Sequence, residues 1–218
     1  MRRAGPLGAL GAFLLTAATP LLAVDEPEYR VVERDEPIEI REYAPMVVAE
    51  TRVDGSMERA GSRAFRTLFN YIDGENRARQ EIAMTAPVTQ APGQEIAMTA
   101  PVAQARSEKI AMTAPVSQRA EGGQWVVSFM MPADYTLDTL PEPLDSRVEL
   151  RELPPYRAAV IRYSGFWSEN NYREHLEALR TWLKNSDLEE RGEPVWARYN
   201  APFTPWFLRR NEILIPVE

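Results

Sequence analysis

Residues 38–45 read IEIREYAP, and residues 148–155 read VELRELPP. The two octapeptides lie 110 residues apart, and each precedes an apolar run typical of a strand, at residues 46–51 and 156–163. Each run leads to a helical pattern, at residues 56–73 in the first half and 168–186 in the second. Further strand candidates follow each helix: one heptapeptide described below and residues 125–131 in the first half, and residues 195–199 and 212–217 in the second. The duplication predicts two strand-strand-helix-strand-strand halves that share one sheet system with the helices packed on it, an α+β fold. The proline-rich stretch 132–143 connects the halves within a single domain.

A second repeat, Ile-Ala-Met-Thr-Ala-Pro-Val, occurs three times in 14-residue steps, at residues 82–88, 96–102 and 110–116. Its alternation is typical of a half-buried strand, and its proline favours a strand end or an edge. We expect the copy at 110–116 to be a strand of the fold, because it has the shortest connection to the next strand. The other two copies then form an inserted hairpin or loop at about residues 80–108. The alternative is that Met84, Met98 and Met112 supply thioether ligands to Cu(I) or heme iron.

The amino terminus has the composition of a secretory signal. Arg2 and Arg3 precede an apolar stretch from residue 7 to residue 23, and an acidic Val-Asp-Glu follows. This predicts a signal peptide over residues 1–23, cleaved after Ala23, and a periplasmic or secreted domain over residues 24–218. An uncleaved anchor is the alternative.

Charge and cysteine usage exclude several classes of function. The chain has no cysteine, which excludes disulfides, cysteine nucleophiles and cysteine-based zinc sites. Without Arg2 and Arg3 it carries 23 basic and 32 acidic residues, a net charge of −9. Nucleic acids and anionic membranes require clustered Lys and Arg, so neither is an expected partner. We expect a monomer whose core alone holds the fold.

The first helical pattern has a wide apolar stripe. Ala60, Ala64, Leu68 and Ile72 recur on one face, with Phe65, Phe69 and Tyr71 beside them and Arg59, Arg63 and Arg66 along the border. Such a stripe suits a flat hydrophobic ligand that carries carboxylates. From the pattern alone, a core-facing helix with a solvated outer face is the favoured interpretation.

Catalytic groups are scarce. His175 is the one histidine, and its position beside the apolar face of the second helix is typical of a structural histidine. No Gly-x-Ser-x-Gly elbow, His-Glu-x-x-His pair or glycine-rich phosphate loop is present. The sequence therefore predicts a binding protein and no enzyme.

Several motifs together resemble the SOUL heme-binding protein family. They are Lys-Ile-Ala-Met-Thr-Ala-Pro-Val at 109–116, Phe-Met-Met-Pro at 129–132, Tyr-Ser-Gly-Phe at 163–166, Tyr-Asn-Ala-Pro-Phe-Thr-Pro-Trp at 199–206 and Arg-Arg-Asn-Glu-Ile at 209–213. The resemblance implies a distorted barrel of two pseudo-symmetric halves, similar to the effector-binding domains of bacterial regulators. It also implies that a tetrapyrrole binds in an apolar cleft between the first helix and a C-terminal strand-loop region. The chain departs from the family in having three Met-Thr-Ala-Pro copies and no counterpart of the histidine proposed as heme ligand in some members.

On this resemblance the expected ligand is heme, held non-covalently and without strong histidine ligation, for carriage, buffering or sensing. The expected contact residues are Arg63, Phe65, Arg66, Leu68, Phe69, Ile72, Thr204, Pro205 and Trp206, with Arg63 and Arg66 pairing the propionates. His175 and Met112 are weaker candidates for an axial ligand. The alternative ligand is another lipophilic molecule, including hydrophobic cations attracted by Glu149 and Glu152. A hydrolase is a third option, which the lack of a nucleophile and base pair disfavours.

Overall fold

The computed structural model describes residues 24–79 and 107–218. The predicted signal peptide and the first two repeat copies, with Met84 and Met98, lie outside these residues. In chain order the elements are β1 (Tyr29–Asp35), β2 (Ile38–Tyr43), β3 (Met46–Val53), α1 (Met57–Ile72), β4 (Asn76–Arg77), β5 (Val116–Glu121), β6 (Gln124–Met130), β7 (Glu142–Pro143), β8 (Glu149–Leu153), β9 (Tyr156–Tyr163), α2 (Glu169–Leu183), β10 (Val195–Arg198), a 3-10 turn (Trp206–Leu208) and β11 (Asn211–Val217).

One nine-stranded antiparallel sheet contains both halves of the duplication. Its strand order is β1-β2-β9-β11-β10-β5-β6-β3-β8. The order is symmetric about the β10–β5 pair: β9-β11-β10 on one side corresponds to β3-β6-β5 on the other. Each half also gives its first strand to the other half, since β2 pairs with β9 and β8 pairs with β3. The two halves therefore share one sheet, as the duplicated octapeptides predicted.

The expected α+β class with two helices is confirmed, but the sheet is not closed into a barrel. Its outer strands are β1 and β8. β1 pairs with β2, and the register of the pair shifts between Val31 and Glu33. The side chains of β1 are almost all exposed. A strand with no buried face lacks the apolar alternation of a half-buried strand, which is why the sequence pattern did not reveal β1.

The helices cover one face of this sheet. α1 packs on β3 and β6, and α2 packs on β9 and β11. Each helix has its own buried cluster, built around Leu68 and Phe129 beneath α1 and around Leu179 and Trp196 beneath α2. The Ser168 side chain caps α2 by accepting from the Asn171 N–H. Within the described part of the chain, neither helix is long and apolar enough to span a membrane.

The third repeat copy belongs to the fold but is not the strand that we expected. Only its last residue, Val116, belongs to β5, and the strand continues through residues that the pattern did not predict. The backbone N–H of Ile110 donates to Ile72 O at the end of α1, and the N–H of Ala114 donates to Asp25 O. The Thr113 hydroxyl donates to Met130 O. The segment is irregular because its polar groups bond to three different elements instead of one neighbouring strand.

The other face of the sheet contains two buried glutamates, each neutralised by arginines. Glu212 on β11 accepts from both terminal nitrogens of Arg41 at 2.9 and 3.2 Å, from Arg210 and from the Tyr199 hydroxyl. Glu50 on β3 accepts from Arg119 and Arg151 at 3.3 and 3.0 Å. Burial opposes ionisation of both carboxyls, yet these hydrogen bonds and charges hold their pKa values below the ordinary range.

Candidate functional site

A row of paired residues crosses the helix-covered face at one end of the sheet. Phe129 pairs with Val116, Val116 with Arg198, Arg198 with Asn211, and Asn211 with Tyr163. Neighbouring strands lie about 4.8 Å apart, so Phe129 and Arg198 are separated by roughly 10 Å along the row. Phe129 lies beneath α1 and Tyr163 lies beneath α2. Arg198 therefore occupies the middle of the floor between the two helices.

The two phenylalanines of α1 lie at one side of this floor. Phe65 and Phe69 are 38% and 39% exposed, and their rings stack with centroids 5.8 Å apart. The Phe65 ring also meets the edge of Phe129 at 5.4 Å. Leu68 and Ile72, expected in the same cleft, are instead buried in the cluster beneath α1. Their position is that of core residues, so the predicted apolar contact set is divided between surface and core.

The two predicted propionate partners lie at different angles around α1 from the phenylalanines. At 100° per residue, Arg63 is roughly 160° around the helix from Phe65, whereas Arg66 is only about 60° from Phe69. The Arg63 guanidinium donates to Asp54 O at 3.1 Å in the turn before the helix. Arg66 is exposed and borders the phenylalanines. The geometry thus keeps Arg66 beside the aromatic surface and directs Arg63 away from it.

Thr204, Pro205 and Trp206 lie in the loop that joins β10 to β11, immediately after Arg198. The Trp206 ring stacks on Phe166 with centroids 5.3 Å apart, and the Gly165 N–H donates to Trp206 O at 3.0 Å. Arg209 holds the loop by donating to Thr204 O and Pro202 O at 2.8 and 2.7 Å. The loop therefore packs on the β9–α2 connection, on the far side of Arg198 from Phe65.

This loop is the main break in the internal symmetry of the fold. The equivalent hairpin in the first half, between β5 and β6, turns through Gly122 and Gly123 alone, whereas the β10–β11 connection has twelve residues. Its extra length exposes an apolar surface, formed with the β9–α2 connection by Phe166, Phe203, Trp206, Phe207 and Leu208. An exposed surface of this kind on a small domain indicates a binding site.

Sequence reasoning missed Arg198, Trp167 and most of this loop surface. The Trp167 indole donates to Asn211 Oδ1 at 2.8 Å, and its ring lies beneath the guanidinium carbons of Arg209 and Arg198, at 4.3 and 5.4 Å from the ring centroid. The unequal hairpin lengths of the duplicated halves would have revealed the loop. No local signal distinguished Arg198, because its surroundings come from β5, α1 and the β9–α2 connection.

The observed contacts of His175 and Met112, the two weaker candidates for an axial ligand, do not include Phe65 or Phe69. His175 stacks on Tyr163 with centroids 4.0 Å apart, and its Nδ1 lies 2.8 Å from Asn171 O. Tyr163 is four strand spacings, or about 19 Å, from Phe129 along the row. Met112 is exposed in the segment that precedes β5. Among residues 24–79 and 107–218, no three His, Cys, Asp or Glu side chains converge as a metal site would require.

The opposite face of the sheet encloses a cavity of about 490 Å³. Its apolar lining includes Tyr43, Met130, Tyr156 and Leu214, and its charged lining consists of Arg119, Arg151, Arg191 and Glu193. Glu149, which we expected to attract cations, is an exposed partner of Arg52 at 2.7 Å, and Glu152 is also exposed on the outer strand β8. Neither glutamate lines the cavity.

The described residues form an α+β domain with one large antiparallel sheet, a two-stranded sheet of β4 and β7, two helices and an aromatic surface at one end. Solved structures share the fold. The EcmrR C-terminal domain aligns with a TM-score of 0.50 and 12% identity over 87% of this chain and 98% of that chain. EcmrR in its DNA complex aligns with a TM-score of 0.55 and 12% identity, over 83% of this chain and 57% of that chain. A Listeria innocua protein described as a hydrolase aligns with a TM-score of 0.50, 11% identity and 83% and 91% coverage.

Sequence comparison identifies the family. The SOUL heme-binding protein family matches residues 24–216, and the chain belongs to that family. Human heme-binding protein 2 is 27% identical over 206 residues, which are 87% of this chain and 88% of that protein.

Proposed function

We propose that this protein binds heme or a related tetrapyrrole, non-covalently and without turnover, at the end of the sheet between α1 and the β10–β11 loop. The observation that carries the proposal is the placement of two exposed aromatic stacks, Phe65 on Phe69 and Phe166 on Trp206, on either side of Arg198. Flat aromatic walls match the faces of a macrocycle, and a cation between them matches its carboxylates.

The same site accounts for carriage, buffering or sensing better than for catalysis. His175 has no nucleophile beside it, since its described contacts are the Tyr163 ring and the Asn171 carbonyl. Iron bound without a strong histidine ligand would exchange between proteins, because the protein supplies few bonds that must break. Together with the predicted export signal, the proposal is that the protein is a monomeric tetrapyrrole carrier in the periplasm or outside the cell.

Titration of the purified protein with hemin tests the proposal. We expect a Soret shift and quenching of tryptophan fluorescence, since Trp206 and Trp167 lie at the site. Phe65→Asp and Phe69→Asp should each weaken binding at least about tenfold, because a carboxylate placed against the macrocycle loses hydration without gaining a partner.

Val32→Asp is the matched control, since Val32 is equally exposed but lies on the outer strand β1. It should bind hemin like the unaltered protein. If hemin bound no better than to a buffer blank, or equally to all four proteins, the site would be refuted.

A second ligand class, lipophilic molecules in the cavity on the opposite face, is favoured by the volume and apolar lining of that cavity. Its charged lining of three arginines and one glutamate does not favour cations. Thermal-shift assays with porphyrins, cationic dyes and neutral lipophilic compounds separate the two functions. Met130→Trp, which narrows the cavity, should weaken stabilisation by a cavity ligand and leave hemin binding unchanged.

A further inference from the structure

Arg198 is a half-buried cation that has no carboxylate partner among the described residues. Its Nη2 lies 3.3 Å from Gln118 Oε1, and its Nε is buried without any hydrogen-bond partner. Burial lowers the pKa of its guanidinium to about 10, so it remains charged at neutral pH. By contrast, Arg41, which is more deeply buried, forms two hydrogen bonds with Glu212. A buried cation is unfavourable until it meets an anion.

The surroundings of Arg198 hold it in one orientation. The guanidinium carbon lies 4.9 Å from the Trp196 ring centroid and 5.4 Å from that of Trp167. α1 approaches it closely at Gly61, where an added Cβ atom would collide with Nη2. Glycine is unfavourable inside a helix, and here it provides the space that the guanidinium occupies. The subsite is therefore built by three elements around one side chain.

Arg198 is positioned to bind a carboxylate that belongs to a larger apolar ligand. It lies two strand spacings from Phe129, on which Phe65 packs, and directly precedes the loop that carries Trp206. A macrocycle against the α1 phenylalanines would bring a peripheral carboxylate, about 10 Å away, to this point.

We propose that Arg198 anchors a ligand carboxylate through charge-assisted hydrogen bonds, and that it, rather than Arg63, is the principal propionate-binding residue. The proposal rests on the proposed tetrapyrrole function and adds the group that the protein recognises. Arg63 cannot share this role in the observed geometry, because it donates to Asp54 O on the other side of α1.

The test compares protoporphyrin IX with its dimethyl ester, which has the same ring without carboxylates. Dissociation constants are measured by tryptophan quenching for the unaltered protein, Arg198→Met, Arg198→Lys and the control Arg63→Met. The unaltered protein should prefer the free acid at least about tenfold, the discrimination expected of a hydrogen bond between charged groups. Arg198→Met should remove this preference while keeping the affinity for the ester, Arg198→Lys should retain part of it, and Arg63→Met should retain all of it.

Equal affinity of the unaltered protein for acid and ester, or an undiminished preference in Arg198→Met, would overturn the proposal. If neither porphyrin bound, the tetrapyrrole function would fail, and 2-naphthoate would decide the carboxylate subsite separately. A rise in melting temperature with naphthoate that Arg198→Met abolishes would support the subsite, and no rise would refute it. Gly61→Ala gives an independent check, since its methyl group displaces the guanidinium and should reduce acid preference without removing the charge.

Discussion

Glu212 illustrates how single residues hold the two halves of this protein together. The carboxylate belongs to the second half, and Arg41, which donates two hydrogen bonds to it, belongs to the first. Arg210 and Tyr199 complete its coordination at 3.0 and 2.8 Å. All four side chains lie on the face opposite the helices, so this network stabilises the sheet without taking part in the proposed site.

Glu212→Gln should destabilise the protein by about 3 kcal/mol at pH 7, because it leaves buried arginines without their anion. The pKa of Glu212 in the folded protein lies below the ordinary 4.5. The ionised carboxylate therefore stabilises the folded protein above pH 4.5, and this stabilisation is lost as the pH falls through the folded-state pKa. Urea unfolding of both proteins from pH 7 to pH 3 should therefore show a difference that narrows below about pH 4.5. A difference that stayed constant with pH would contradict this account of Glu212.

His175 should contribute to packing and not to heme ligation. Its ring stacks on Tyr163 at 4.0 Å, about 19 Å along the row from Phe129. His175→Ala should lower the free energy of unfolding by about 1 kcal/mol, the value of an aromatic stack, and leave the Soret maximum and the hemin affinity unchanged. Loss of a low-spin heme spectrum in this variant would identify His175 as the axial ligand.

At the scale of elements, the helix α1 has separate surfaces for core and ligand. The sequence stripe contained both, because residues 64, 65, 68, 69 and 72 span a wide arc of the helix. Periodicity alone could not tell which edge of that arc the sheet would cover. The structure shows that β3 and β6 cover Ala64, Leu68 and Ile72 and leave Phe65 and Phe69 at the border.

This division predicts opposite effects for two neighbouring substitutions. Leu68→Ala should cost about 2–5 kcal/mol of stability, since Leu68 is fully buried, and it should affect hemin affinity little. Phe69→Ala should cost much less stability and weaken hemin binding. Chemical denaturation and hemin titration of both variants measure the two effects, and a binding loss larger for Leu68→Ala than for Phe69→Ala would restore Leu68 to the site.

The sequence predicted those elements whose pattern lies within one short segment of the chain. The strands that alternate or are uniformly apolar, such as β3, β9 and β11, and both helices were predicted within a few residues. β1 was missed because it has no buried face, and the third repeat was misjudged because Thr113 and Ala114 bond to distant elements. Arg198 required knowledge of which strand ends meet, which only the sheet order provides, whereas the unequal hairpin lengths of the two halves could have revealed the aromatic loop.

For the whole molecule, residues 80–106, between β4 and β5, join two points that the fold already holds together. The Asn76 amide donates to Glu108 O at 2.8 Å, and the Glu108 N–H donates to Asn76 Oδ1 at 2.9 Å. Lys109 pairs with Asp73 at 2.9 Å. The chain between Arg79 and Ser107 therefore starts and ends at a fixed junction, and the fold does not depend on its length to bring the ends together.

Deleting one 14-residue unit, residues 81–94, should consequently change the free energy of unfolding by less than about 1 kcal/mol. The deletion shortens residues 80–106 by about half, and halving a loop recovers only about 0.6 kcal/mol of closure entropy. Hemin affinity should remain intact, because the proposed contacts Phe65, Phe69 and Trp206 lie outside the deleted residues. Thr113→Val is the contrasting control: it leaves the Met130 carbonyl without its donor and should cost about 1–3 kcal/mol. A deletion that unfolded the protein, or removed hemin or copper binding, would instead establish the repeated methionines as a site.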